Sequence, residues 1–404
     1  MRAMYILMDE CARQLVDYFK GQSKNLIEVE LKDVFARYTN DVIASTAFGI
    51  KCDSLKQRNN EFLLAGRELI DVSGLKRFKF MLYGNFPVLT KLLNLKIVNT
   101  KVSNFFRSLI NETLALREEK NIVRPDLIHM LMMARQGKLK YEDYTDIPEA
   151  GFAAVQESAT GIGGKNITFL TNEDITAQAV VFFLGGFDTS SSLMCFAGYE
   201  LAVNPHIQTR LKEEIIQTFH KSDGKISYEH LLSMKYLDMV LSEALRKWTQ
   251  AIWIDRKCTK DFEIESEKEG EPTLKIKVGD VCWLPIFGIH WDPKYYPNPE
   301  IFDPERFSEE NKEKIKSTTY LPFGIGPRNC IGSRFALLET KILFYYLLLD
   351  FDFVPVEKTQ IPIKLKKDSA FLLAEKAVFF LAGFDTSSYV TDFANHEIAI
   401  NPHT

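Results

Sequence analysis

Near the end of the chain, Phe323-Gly324-Ile325-Gly326-Pro327-Arg328-Asn329-Cys330-Ile331-Gly332 combines a stiff turn with one soft ligand. The glycines and the proline hold the loop and let backbone approach a flat molecule closely. Cys330 stands just ahead of an apolar stretch, Ile331 to Leu349, that predicts a helix, and a helix N-terminus favours thiolate over thiol. A thiolate held in this way is a good axial ligand for haem iron, and its electron donation favours O–O cleavage. Cys330 is therefore the candidate metal ligand, framed by Phe323, Gly326, Arg328 and Gly332.

Four further groups bear on chemistry. Gly185-Gly186-Phe187-Asp188-Thr189 sets an acid and an alcohol inside an apolar run. On residue types alone, Thr189 bonds the carbonyl four residues back, or it joins Asp188 in moving protons. Glu243 and Arg246 lie i, i+3 on one helical face, where a solvated ion pair is the default. Arg306 sits in Pro304-Glu305-Arg306-Phe307, and Arg256 in Asp255-Arg256-Lys257-Cys258.

Taken in order, these segments resemble the cytochrome P450 haem-thiolate monooxygenases. The surrounding texture, with Asn204-Pro205 and Tyr296-Pro297-Asn298-Pro299, resembles the insect microsomal members that metabolise xenobiotics. The resemblance implies haem b on the Cys330 thiolate, with Gly185 and Gly186 on the helix that covers it. It implies that Asp188 and Thr189 are catalytic, delivering protons for oxygen activation. It implies that Arg256 and Arg328 hold the haem propionates, where arginine forms a bidentate, always-charged clamp. Glu243, Arg246 and Arg306 become a structural triad under the cysteine loop. The implied activity inserts one atom of dioxygen into a lipophilic small molecule, a xenobiotic, hormone or fatty-acid-like compound. Electrons come from an NADPH-cytochrome P450 reductase, with cytochrome b5 as a second donor, on the cytosolic face of the endoplasmic reticulum membrane. Lys312, Lys314, Lys316, Arg328 and Lys341 flank the cysteine loop and form an expected docking patch for an acidic partner. The alternative reading is a truncated, chimeric product that binds haem poorly and oxidises nothing.

The elements that must position these residues read as mainly α, a helical bundle with a minor β-rich region. Apolar stripes predict helices over Leu31–Phe48, Phe62–Ile70, Val98–Leu116 and Asp126–Met133. Gln136–Asn172 loses the pattern and reads as a loop; its Gly161-Ile162-Gly163-Gly164-Lys165 lacks the residues of a phosphate loop. Thr171 and Asp174 start a long helix that Asn204-Pro205 stops. Helices over His206–Phe219 and Met234–Lys247 follow, then a small sheet over Ile252–Leu284, an irregular Pro-rich stretch from Asp292 to Pro327, and the final helix.

The 404 residues carry 50 Lys plus Arg against 54 Asp plus Glu, which argues against wholesale nucleic-acid binding. Six scattered cysteines and seven scattered histidines offer no CxxC or metal spacing. No uncharged apolar run is long enough for a membrane anchor.

Three departures from the resemblance stand out. No anchor, hinge or first helices correspond to its N-terminus, so the fold is expected to be incomplete there. Thr249-Gln250 replace two prolines, which predicts a less rigid turn from helix into sheet. Finally, Val378–His403 repeats Val181–His206, with 17 of 26 positions identical. Residues 1–375 are therefore expected to form the catalytic domain. Residues 376–404, a copy of 179–206, are expected to be helical, chemically idle at Asp385 and Thr386, and not integral to the fold.

Overall fold

Helix follows helix through the first half of the computed structural model, which describes residues 1–22, 24, 26–71, 74–138, 152–153, 170–265, 272–366 and 372–383. The helices are α1 (Arg2–Lys20), α2 (Leu31–Ile43), α3 (Glu61–Ile70), α4 (Leu75–Asn85), α5 (Pro87–Leu92), α6 (Thr100–Lys120) and α7 (Leu127–Arg135), then the central α8 (Asn172–Val203). After it come α9 (Pro205–Lys221), α10 (Tyr228–Ser233), α11 (Lys235–Lys247), α12 (Ile286–His290) and α13 (Ser333–Asp350). The strands are β1 (Leu26–Glu30), β2 (Ile254–Lys257), β3 (Phe262–Ile264), β4 (Leu274–Ile276), β5 (Val281–Leu284), β6 (Phe351–Pro355) and β7 (Val378–Gly383).

α8 begins where the sequence says it should. The Thr171 side chain accepts from the Asp174 N–H and Asp174 returns the bond, a full capping box, while Asn204-Pro205 ends the helix. Its first half joins α3, α6 and α7 around Phe48, Phe62, Phe106 and Phe183; its second half is buried among α1, α2, α9, α11 and α13. Among the described helices α8 alone is long and apolar enough to cross a membrane, yet 56% of its most apolar window is buried inside the molecule. That burial marks it as a core helix.

Several expectations shift. The stripe over Leu31–Phe48 is helical throughout but changes to a π turn over Ala44–Phe48, closed by Gly49 at φ +71°. A side chain there would strike Arg117, whose Cβ-to-Nη2 clearance is only 2.2 Å. The expected sheet over Ile252–Leu284 is two separate two-stranded ladders, β2–β5 and β3–β4. The Thr249-Gln250 turn, expected to be loose, is buried, and Gln250 bonds the carbonyl of Trp248 and accepts from Leu372.

The tail brings the largest correction. Val378–Gly383 is neither helical nor peripheral: it is the middle strand of an antiparallel sheet ordered β1-β7-β6. Phe379, Leu381 and Ala382 are buried, and Phe379 meets Tyr199 of α8 edge-on at 6.1 Å. The same Val-Phe-Phe-Leu sequence is helical at Val181–Leu184 because helix continues on both sides of it. At 378–381 two strands flank it and satisfy its backbone groups, and its aromatic and β-branched residues suit a pleated surface. Residues 384–404, with Asp385 and Thr386, lie outside the described residues, as does the loop with Gly161 to Lys165.

Candidate functional site

Glu243 and Arg246, one turn apart on α11, are both fully buried. Arg246 Nε and Nη2 donate to the two oxygens of Glu243 at 2.7 and 2.8 Å, a bidentate pair. Two further guanidinium hydrogens go to carbonyls: Nη1 to His290 at 2.9 Å and Nη2 to Pro299 at 2.8 Å. Glu243 Oε1 also accepts from the Asp303 N–H and lies 3.5 Å from Arg306 Nε. The default reading of a solvated pair therefore fails. Burial pushes the Glu243 carboxyl upward in pKa, and the Arg246 hydrogen bonds oppose it. Arg306, in the 3-10 turn Pro304–Phe307, donates to Asn298 O at 3.0 Å. Together the three side chains pin the irregular stretch 298–307 to α11.

From there the chain reaches the cysteine loop. Leu321 N–H donates to His290 Nε2 at 2.8 Å, Gly324 N–H to Leu321 O, and Cys330 N–H to Phe323 O at 2.8 Å. Gly324 and Gly326 sit at φ +73° and +77°, left-handed values that glycine alone adopts at no steric cost. Phe323 is half-buried against the core, whereas Arg328, Cys330 and Ile331 are exposed. Gly332 lies against Cys330: a Cβ added there would meet Sγ at 3.8 Å. The helix begins at Ser333, three residues past Cys330 rather than at Ile331. Desolvation pushes the thiol upward in pKa, partly opposed by a hydrogen bond from the Gly332 backbone. Cys330 therefore stands outside the first helical turn, and a metal bound there would deprotonate its thiol ligand.

On α8, a Cβ at Gly186 would come within 3.1 Å of Ile43 on α2, so this glycine permits close packing. Gly185 faces open space instead, alongside exposed Val181 and Leu184. Thr189 Oγ1 donates to Gly185 O, the back-bond of the simpler reading. The Asp188 carboxylate does not reach for Thr189. It pairs with Lys32 Nζ of α2 at 2.7 Å, and that ammonium also donates to Asp188 O, Ser191 Oγ and Ser192 Oγ at 2.9, 2.7 and 2.6 Å. Lys32 and His290 are the residues that sequence reasoning missed. Nothing local marks Lys32, which meets Asp188 across 156 positions.

Phe182 packs edge-on against Phe335 at 5.2 Å, joining the open face of α8 to the first turn of α13, just beyond Cys330. Phe182 thus ties α8 to the helix that follows the sulfur donor. Among the described residues no three His, Cys, Asp or Glu side chains gather as a metal site. A metal on Cys330 must bring its other ligands with it, as a porphyrin does, so the donor set fits haem. Arg256, on β2, is exposed and donates to its neighbour Asp255 O; like exposed Arg328, it has no carboxylate partner among the described residues. The expected docking patch loses a member. Lys341 is fully buried, 2.9 Å from Asp238, because α13 turns that side chain into the core. Lys312 pairs with Glu309, while Lys314 and Lys316 stay exposed.

The fold and this site define a haem-thiolate oxygenase architecture, and comparison with known proteins agrees. The cytochrome P450 family model matches residues 1–379. The chain is 48% identical over 382 residues to cytochrome P450 9e2 of Blattella germanica, covering 91% of this chain and 68% of that protein. It is 45% identical over 386 residues to probable cytochrome P450 9f2 of Drosophila melanogaster, covering 94% and 70%. Against cytochrome P450 6A1 of Musca domestica it is 36% identical over 372 residues, covering 91% and 68%. The chain belongs to the cytochrome P450 family of haem-dependent monooxygenases.

Proposed function

We propose that this chain binds haem b through Cys330 and oxidises a lipophilic small molecule, taking electrons from an NADPH-dependent flavoprotein reductase or from cytochrome b5. The observation that carries the reading is the exposed cysteine loop anchored on the buried Glu243–Arg246 pair. Bound there, haem supplies the centre at which dioxygen is cleaved, with the thiolate's donation favouring that cleavage.

The protein's own groups do the rest. Phe323, Gly326 and Gly332 shape the loop around the sulfur, and Arg256 and Arg328, neither with a carboxylate partner among the described residues, offer their guanidinium groups to the propionates. Val181, Leu184 and Gly185 give an exposed apolar face that suits a lipophilic substrate. Because the Thr189 hydroxyl proton points at Gly185 O, Oγ1 presents lone pairs and holds an incoming O–H or water. Asp188 is the proton carrier, and it must exchange the Lys32 ammonium for a proton before passing one on. Thr189→Ala then keeps haem but lowers product formed per NADPH consumed.

A membrane setting has support on α4 and α5. α4 and α5 bury little, leaving Leu75, Phe78, Phe80, Val88 and Leu92 exposed beside Lys76, Arg77, Lys79 and Lys91. No acidic residue occurs from 72 to 111. Such a face suits anionic lipid on the endoplasmic reticulum surface. Lys314, Lys316 and Arg328 remain the basic side chains available to an acidic redox partner.

The deciding experiment is Cys330→Ser. The red-shifted Soret band of the ferrous carbon monoxide complex should vanish while the fold survives. A band that persists would mean another ligand, and a wild-type chain that takes up no haem would favour a chimeric, inactive product.

A further inference from the structure

We propose that His290 is the positioning residue that registers the Cys330 loop on α11. It closes α12 and is fully buried. Its Nε2 receives the Leu321 N–H at 2.8 Å, and its Nδ1 lies 3.2 Å from Arg246 O. A backbone N–H only donates, so Nε2 is unprotonated, and the ring proton sits on Nδ1 and donates to the carbonyl. One neutral tautomer satisfies both contacts. Imidazolium, lysine and arginine lack the acceptor, and phenylalanine lacks both groups.

The link is reciprocal, since Arg246 Nη1 donates back to His290 O at 2.9 Å. Two residues past Leu321, Phe323 offers its carbonyl to Cys330 N–H at 2.8 Å. The cysteine amide is thus tied through one short stretch of backbone to an imidazole fixed on the Glu243–Arg246 pair. Tyr320 provides a second tie: its ring stacks on His290 at 5.7 Å and its hydroxyl donates to Ser242 O at 2.9 Å. The two ties differ. Tyr320 holds its residue by a side chain, whereas His290 holds the loop's own backbone at Leu321.

The proposal rests on Cys330 being the haem ligand for its functional meaning, but its geometry is testable without haem. Hydrogen exchange by mass spectrometry on the full chain, with peptides beginning before and after Leu321, compares wild type, His290→Phe, His290→Gln and Tyr320→Phe. In His290→Phe, exchange should quicken about tenfold at Leu321 and also in peptides holding Cys330, the factor that one lost hydrogen bond with an orphaned partner represents. His290→Gln, which keeps a donor and an acceptor, should recover part of the protection and serves if the phenylalanine variant does not fold. Tyr320→Phe should leave Cys330 protected. Faster exchange at Leu321 alone, with Cys330 unchanged, overturns the proposal. In haem-loaded protein, the fraction of bound haem showing the red-shifted carbon monoxide band should fall in His290→Phe and hold in Tyr320→Phe. A band lost in wild type, or kept in Cys330→Ser, would instead count against the ligand assignment, leaving the exchange result to judge His290.

Discussion

The repeated Val-Phe-Phe-Leu segment makes opposite demands on its two phenylalanines in its two settings. In β7 the strand turns Phe379 fully inward and leaves Phe380 half-buried, whereas in α8 the helix buries Phe183 and leaves Phe182 half-buried. Aligned position by position, the inward phenylalanine is the first of the pair in one copy and the second in the other. Phe379→Ala should therefore cost about 3–5 kcal/mol, the usual range for emptying a fully buried phenylalanine site. Phe380→Ala should cost roughly 1 kcal/mol, about half the transfer value of a buried side chain. In α8 the order reverses: Phe183→Ala should cost about 3–5 kcal/mol. Phe182→Ala should cost roughly 1–2 kcal/mol, with its edge contact to Phe335 included. Thermal and urea unfolding followed by circular dichroism would rank the four variants. If Phe380→Ala proves more damaging than Phe379→Ala, the register of β7 is wrong by one residue, because such a slip moves every side chain to the other face.

Other perturbations follow from the same geometry. Ending the chain after Glu375 removes the middle strand of the β1-β7-β6 sheet and should sharply reduce soluble, folded protein, measured as yield and midpoint of unfolding. Arg246→Met leaves Glu243 charged and buried without its partner, so stability should drop by about 3–5 kcal/mol, and adding Glu243→Gln should recover part of that loss. Burial, with the nearby Arg246 charge, holds His290 down to about 3 from its ordinary 6.5, so the unfolded chain binds a proton that the folded one refuses. This contribution is intact above pH 6.5 and is lost as pH falls toward 3; His290→Phe should therefore show a shallower acid loss of stability than wild type. Lys32→Met removes the ammonium that Asp188 must give up before it takes a proton, and should leave product formed per NADPH consumed no lower, with haem content unchanged.

What was legible in the sequence is what neighbouring residues determine. The capping box at Thr171, the stop at Asn204-Pro205 and the glycine turn before Cys330 each depend on a few adjacent side chains, and each stands where expected. Distant partners left no local trace. Lys32 reads as an ordinary charge in the first turn of α2 until the fold carries it to Asp188, and His290 as one more scattered histidine until Leu321 arrives 31 residues later. Lys341 misled for the same reason: lysine is usually solvated, and only α13's orientation puts it beside Asp238. β7 was beyond local reading altogether, since near-identical residues form helix in α8. α4 escaped because apolar and basic residues surround it on every side and leave no stripe to detect.

The sheet's strand order also governs when the molecule can be completed. Among the described residues β1 and β6 do not pair with each other and each pairs only with β7, which lies about 350 residues after β1. At about 5–20 residues per second, a nascent β1 waits on the order of 20–70 seconds for its partner to be made. Through nearly all of that interval β1 alone presents unpaired backbone, the kind of edge that recruits wrong partners, because β6 is made only shortly before β7. Helices such as α8 and α9 can form from local contacts while the chain is still growing, but the sheet cannot. Its closure is a late, long-range event, and a cell making this protein has to shield that edge until the last strand arrives.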